Sequence, residues 1–163
     1  MIQSHTPLVV DDVSLLTQLQ QKCQLQLNIT VETDKIELPK GFPRHAYSPS
    51  VRIAALRTLR AAGLPTVATV SPLLPLDDPL KFAQDLEGAC DRVVLDHYLL
   101  GDGSPDGQRT KQTRLPLLLE STGYAEWTSL DRFEEVVRIF RDVLGRDRVG
   151  VSREGFNTVQ VLP

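Results

Sequence analysis

Leu25, Leu27, Ile29 and Val31 alternate with Gln26, Asn28 and Thr30, and this period of two predicts a strand over 25–31. Upstream, Asp11 and Asp12 can cap a helix that sets Val13, Leu16, Leu19 and Cys23 on one side and runs to about Cys23. From 32 to 47 no period persists and Pro39, Gly41 and Pro43 interrupt the chain, so a loop of roughly 15 residues is expected, a length that suits a lid over a site. Ser48 followed by Pro49 opens the next helix, and Gly63 and Pro65 close it. Its apolar stripe reads Val51, Ala55, Leu59 and Ala62, leaving Arg52, Arg57 and Arg60 to solvent.

The alternation then repeats. Thr66–Val70 is β-branched and reads as a strand ending at Ser71 and Pro72; Asp77, Asp78 and Pro79 start a helix carrying Leu80, Ala83 and Leu86; Arg92–Leu95 reads as a short buried strand. The polar, glycine-containing segment 101–114 reads as a loop, and 115–119 as the start of a short helix. Ser129 caps the longest helix, in which Leu130, Phe133, Val137, Phe140 and Leu144 recur at spacings of three and four until Gly145, and 148–152 forms a last strand. Strand and helix alternate throughout with no repeat or boundary, which predicts one α/β domain over 1–163 with a mainly parallel sheet and right-handed crossovers.

Composition narrows this picture. With 163 residues, 41% hydrophobic and 24% charged, the chain is neither disordered nor collagenous, and it is short of the about 250 residues of a full eight-fold β/α barrel. A net charge of -3 supplies no basic field, which argues against nucleic acid as a partner. Cys23 and Cys90 are the two cysteines, too few for a four-thiolate site. Residues 1–10 do not read as a secretory signal, and no run approaches about 20 apolar residues, so no membrane segment is expected and a cytoplasmic chain with reduced thiols is the default.

In parallel α/β folds ligands gather at the carboxyl ends of strands. Those ends carry Glu32, Thr33 and Asp34, then Ser71 and Pro72, then Asp96, His97 and Tyr98, then Arg153 and Glu154. The carboxylate and imidazole of Asp96 and His97 could tune a base, bind a metal or grip a ribose, yet adjacent strand residues face opposite ways, so one of them can equally be a packed structural group. His5 and His45 are less telling. Asp34, Asp96 and His97 together would suit a metal-dependent hydrolase, with Asp102 a further candidate ligand beside His97 and Asp34. Asp102, Ser104 and Asp106 begin like a calcium loop, but Thr113 stands where a bidentate Glu is needed, which excludes calcium. Arg109, Lys111 and Arg114 could meet a phosphate or carboxylate or simply be an exposed basic loop, Leu73, Leu74 and Leu76 could line an aromatic pocket or cap the core, and Trp127 should pack on the long helix.

The run from Ser48 to Ala62, then GLPTVATVSPLLPLDDP, then CDRVVLDHYLLGDGS followed by RTKQTRLP, resembles the radical S-adenosylmethionine superfamily, most nearly its spore photoproduct lyase-like branch. The likeness extends from IQSHTPLVVDDVSLL, similar to the segment leaving the third barrel strand, to about Phe156. It implies a single domain whose mainly parallel sheet forms part of a (β/α)6 partial TIM-like barrel, with 25–31, Thr66–Val70 and Arg92–Leu95 as its fourth, fifth and sixth strands. The CxxxCxxC loop that holds the family's 4Fe-4S cluster has no counterpart here.

The resemblance also implies roles. Asn28, Thr30 and Glu32 would hold the ribose and carboxylate of S-adenosylmethionine; Ser71, Pro72 and Leu73 would pack on its adenine; Asp96, His97 and Tyr98 would face the nucleoside or substrate. His5, between Ser4 and Thr6, stands where relatives carry a basic residue. The expected function is that of a split or truncated enzyme half, able at most to bind the nucleoside, with the 4Fe-4S cluster supplied by an N-terminal half-barrel partner or none at all. Its exposed sheet edge would favour that partner or self-association. The alternatives are a non-catalytic nucleoside- or protein-binding module and the metal-dependent hydrolase.

Overall fold

Strands form where aliphatic and β-branched residues run together, and three of the helices begin where Ser or Asp supplies an extended N-cap: Ser48 and Asp78 just before a proline, and Ser129. The structure, a computed structural model, describes residues 1–42, 44–101, 108, 112 and 114–157. In chain order it contains β1 (Ile2–Ser4), a 3-10 turn (Pro7–Asp12), α1 (Val13–Gln20), β2 (Leu27–Thr30), α2 (Pro49–Ala61), β3 (Thr66–Val70), α3 (Pro79–Glu87) and β4 (Arg92–Leu95). After these come α4 (Tyr98–Gly101), α5 (Leu115–Ser121), a 3-10 turn (Ala125–Thr128), α6 (Leu130–Leu144), β5 (Val149–Val151) and α7 (Ser152–Asn157).

All five strands are parallel and lie in the order β1-β2-β3-β4-β5, so space follows sequence across the sheet. Register divides the two faces. Leu27, Ile29, Ala68, Val70, Val93, Leu95 and Val149 belong to one hydrophobic cluster with Leu16 of α1, Leu56 of α2, Phe82 of α3 and Phe140 of α6. Phe82 and Phe140 meet edge to face at 5.9 Å, fixing α3 against α6. By the two-residue period of a strand, Gln3, Asn28, Thr30, Val67, Thr69, Val94 and Gly150 line the opposite face.

On that opposite face α7 lies against the sheet in a close backbone approach. A Cβ on Gly150 would come within 2.6 Å of Gly155 Cα, and one on Gly155 within 2.7 Å of the Gly150 carbonyl carbon and 3.0 Å of Val94 Cγ1. Glycine at both positions is what allows the contact.

Several expectations are corrected. Helix α1 ends at Gln20 rather than near Cys23, and Leu19 and Cys23 are exposed. Asp12 makes no side-chain cap; instead Thr6 accepts from the Leu8 amide and opens a 3-10 turn ahead of the helix. In α2 the buried stripe is Arg52, Ile53, Ala55, Leu56 and Leu59, while Val51 and Ala62 are exposed, because the helix is rotated to send Arg52 inward to the end of β2. In α3 Leu80 is exposed and Phe82 fills the core position. Helix α6 follows the expected pattern, with the Ser129 hydroxyl accepting from the Arg132 amide and Gly145 at φ 89° closing its end, though Leu130 is exposed. Asp102, Ser104, Asp106, Gly107, Arg109, Lys111 and Thr113 lie outside the described residues.

Candidate functional site

The polar face of the sheet carries a row of side chains satisfied by one another. Thr30 Oγ1 accepts from Thr69 Oγ1 at 3.0 Å and from Gln3 Nε2 at 3.5 Å, joining β1, β2 and β3. Asn28 accepts from Gln26 Nε2 at 2.8 Å and donates to Met1 Sδ at 3.2 Å. Asn28, Thr30 and Thr69 are fully buried, and buried polar groups persist where they have such partners.

Above this row, at the carboxyl end of β2, sits an ionic centre. Arg52 Nη1 reaches back from α2 and donates to the Thr30 carbonyl at 2.6 Å and to Glu32 Oε2 at 2.7 Å. The Arg52 side chain is 4% exposed and that of Glu32 17%, so the pair is largely withdrawn from water. Arg52 Nη2 also stands 3.3 Å from His45 Nδ1. A guanidinium only donates, so His45 Nδ1 accepts and its ring is neutral there. Burial, with the Arg52 charge beside it, pushes the His45 pKa below its usual value against the weaker pull of Glu32. On the other side of the carboxylate, His5 Nδ1 lies 3.4 Å from Glu32 Oε1.

The 32–47 loop that supplies His45 is tied to the turn after β3. Thr33 Oγ1 donates to the Pro75 carbonyl at 2.6 Å, and the Asp34 carboxylate accepts from the amides of Asp77 and Asp78 at 2.8 and 2.9 Å. Lys35 pairs with Asp77 and lies over the Tyr124 ring. Burial works against the Lys35 charge, but these partners outweigh it and raise its pKa. The loop then walls a pocket of about 550 Å³. Its apolar wall is Leu38, Phe42, Leu74, Leu115 and Leu118, and its polar wall is His5, Glu32, Arg44, His45, Arg52 and Arg114. Volume and lining fall in the range of small-molecule sites.

Of the residues that the sequence singled out, Glu32 and Pro72 line this pocket, and so do His5, Leu74 and Arg114. Ser71 is half-buried next to it and donates to Asp96 Oδ2 at 3.1 Å, bringing the ends of β3 and β4 together. Asn28 and Thr30 lie buried in the row beneath, and Leu73 belongs to the hydrophobic core. His97 is closed at both nitrogens: Nδ1 accepts from the Leu99 amide at 3.2 Å, and Nε2 faces the Trp127 carbonyl at 3.4 Å. Its ring stacks beside Tyr98 and Phe133 with centroids at 4.4 and 5.4 Å. Burial lowers its pKa despite the Trp127 carbonyl, which holds it neutral. Burial likewise raises the pKa of Tyr98, helped by the Glu120 charge and opposed by a hydrogen bond with the Thr128 side chain; the Tyr98 hydroxyl also donates to the Thr128 carbonyl at 3.4 Å. The Asp34 and His97 of the hydrolase reading thus hold a turn and a core contact.

Sequence reasoning missed Arg52 and set aside His45. The signal was present: Arg52 stands at i to Ala55, Leu56 and Leu59 at i+3, i+4 and i+7, the spacing of a buried helical stripe. The residues at hand do not fit an iron-sulfur cluster. Cys23 is exposed on one side of the fold, Cys90 is buried with its thiol pushed up to about 12 by desolvation, and no three His, Cys, Asp or Glu side chains gather at metal-binding distance among the described residues. Comparison of the chain with family models, with curated proteins and with solved structures gives no match.

Proposed function

We propose that this chain is a nucleoside-binding α/β domain, an arc of a barrel similar to the C-terminal half of a radical S-adenosylmethionine protein, that holds the nucleoside part of S-adenosylmethionine at its carboxyl rim. The observation that carries the reading is the winding of the sheet. Strand order is sequential, and the core helices α1, α2, α3 and α6 share one hydrophobic cluster on one face. A doubly wound sheet reverses its strand order once, which this sheet does not, and the six-residue α7, which follows the last strand, lies on the other face against β4 and β5. Right-handed crossovers without reversal keep the helices on one face and turn the other inward, as in a barrel. The polar row Gln3, Thr30 and Thr69 and the Asn28 beside it suit such an interior.

Within the expected set, Glu32, Ser71 and Pro72 are the members that solvent reaches, so they are the ones a ligand would touch. Glu32 offers carboxylate oxygens to ribose hydroxyls, Ser71 a hydroxyl, and Pro72 an apolar face to a purine. Thr30 and Arg52 act below them by fixing where the end of β2 and the Glu32 carboxylate stand. Radical chemistry in the family depends on a cluster, and here that cluster would come from protein outside these 163 residues, such as an N-terminal half-barrel set against the edge strand β1. This chain by itself binds and orients.

Isothermal titration of the purified chain with S-adenosylmethionine tests the reading. The expected result is a saturable heat that a Glu32→Gln, Ser71→Ala double variant weakens by about tenfold, in line with losing charged and neutral hydrogen bonds. Absence of heat at about millimolar ligand, or equal affinity in the double variant, would overturn it.

A further inference from the structure

The pocket beside the rim has a charge that the nucleoside reading does not use. Among its described lining residues Glu32 is the sole acid, and Arg52 already neutralises it at 2.7 Å. Arg44 and Arg114 are therefore surplus cations of its described lining. Both are exposed, and neither forms an ion pair among the described residues. The apolar lining of the same pocket is Leu38, Phe42, Leu74, Leu115 and Leu118, drawn from the 32–47 loop, the turn after β3 and helix α5. Helix α2 starts at the pocket's edge with no acidic residue in its first turn and no side-chain cap on its amides, which adds positive potential.

A pocket that combines an apolar lining with two guanidiniums that have no ion-pair partner among the described residues is complementary to one kind of molecule. We infer that this pocket binds an organic anion with an apolar body, the body against the leucines and Phe42 and its oxyanion on Arg44 and Arg114. Guanidinium recognises carboxylate, sulfonate and phosphate oxygens alike through paired N–H donors, so the oxyanion is the shared feature. The pocket shares Glu32 and Pro72 with the nucleoside reading, but the inference rests on Arg44 and Arg114, which that reading does not use.

The probe is 8-anilinonaphthalene-1-sulfonate, compared with N-phenyl-1-naphthylamine, which has the same aromatic body without the sulfonate. The expected result is saturable binding of the sulfonate at one site per chain and weaker binding of the amine. An Arg44→Gln, Arg114→Gln variant should weaken sulfonate binding by about tenfold and leave amine binding unchanged. Since both arginines are exposed, that variant should keep the parent's unfolding midpoint, which is measured alongside. Ala46→Trp, which adds bulk at an exposed position of the pocket wall, should abolish binding of both dyes. Equal affinity for the two dyes, sulfonate binding that survives the double arginine change, or binding indifferent to Ala46→Trp would overturn the inference. Titration with S-adenosylmethionine in the arginine variant separates the two readings, because nucleoside binding at Glu32 and Ser71 should persist there.

Discussion

Arg52 and Glu32 set the local geometry of the site, and they do so at a cost. An arginine 4% exposed is tolerated because Glu32 and the Thr30 carbonyl accept hydrogen bonds from its guanidinium. Removing the acid leaves a buried charge without its counterion, which is worse than never having buried it. Glu32→Ala should therefore destabilise the protein by about 3 kcal/mol, the low end for breaking a buried pair because Glu32 keeps some contact with water, whereas Glu32→Gln should cost less. Urea unfolding of the three proteins checks this; equal midpoints would show the pair to be idle. His97 gives a second, pH-dependent handle. Its folded-state pKa lies below the ordinary 6.5, so the unfolded chain takes up the proton first as pH falls. Stability from the neutral ring is complete above about 6.5 and is lost as pH drops from there toward the lower folded-state value. Unfolding near pH 8 and near pH 5.5 should show a smaller acid loss in His97→Phe than in the parent, even though the variant starts less stable. An identical pH dependence would remove His97 from the account. The sequence showed Asp96 and His97 as a pair of alternatives, and a one-dimensional pattern cannot say which neighbours close an imidazole. Trp127, whose carbonyl faces His97, comes from a turn 30 residues away. Arg52 was misread for a different reason: the charge argued for solvent, while its spacing argued for the core, and the tertiary partner Glu32 decided in favour of spacing.

Elements were more legible than contacts. Thr66–Val70 and Arg92–Leu95 form where β-branched and aliphatic runs stand between turn residues, and α6 begins and ends at its Ser129 and Gly145 signals. The start of the chain was harder, since Pro7–Asp12 makes a 3-10 turn whose cap, Thr6, precedes the acidic pair that drew attention. Also hidden was α7. A six-residue helix carries too little periodicity to announce itself, and its seat depends on Gly150 and Gly155 meeting backbone to backbone. Gly150→Ala should lever α7 off β4 and β5, because the contact at 2.6 Å is to backbone and no side chain can swing away. The expected outcome is faster amide exchange across β4 and β5 and new proteolytic cleavage within Ser152–Asn157, with α2 and α3 protected as before. Unchanged exchange would mean that the helix is not seated by the glycine pair.

At the scale of the whole molecule, sequential parallel strands with the core helices on one face leave a polar face whose rim ends in Glu32, Ser71 and Asp96. Alternation of strand and helix predicted the parallel sheet from sequence; the division between the apolar face under the core helices and the face that is polar at β1, β2 and β3 was only half visible, as Asn28 and Thr30 between leucine and isoleucine. Short edge strands of three residues, β1 and β5, bound the sheet on either side. In the proposed function the rim of β2 and β3 binds a nucleoside. The most direct measurement is a titration of isotope-labelled protein with S-adenosylmethionine, following every backbone amide by NMR. Shifts concentrated on the amides of Thr30–Glu32, Ser71 and Leu73, with Val13–Gln20 and Leu130–Leu144 unmoved, are the predicted result. Saturation with no amide moving, or shifts gathered away from the carboxyl ends of the strands, would contradict it.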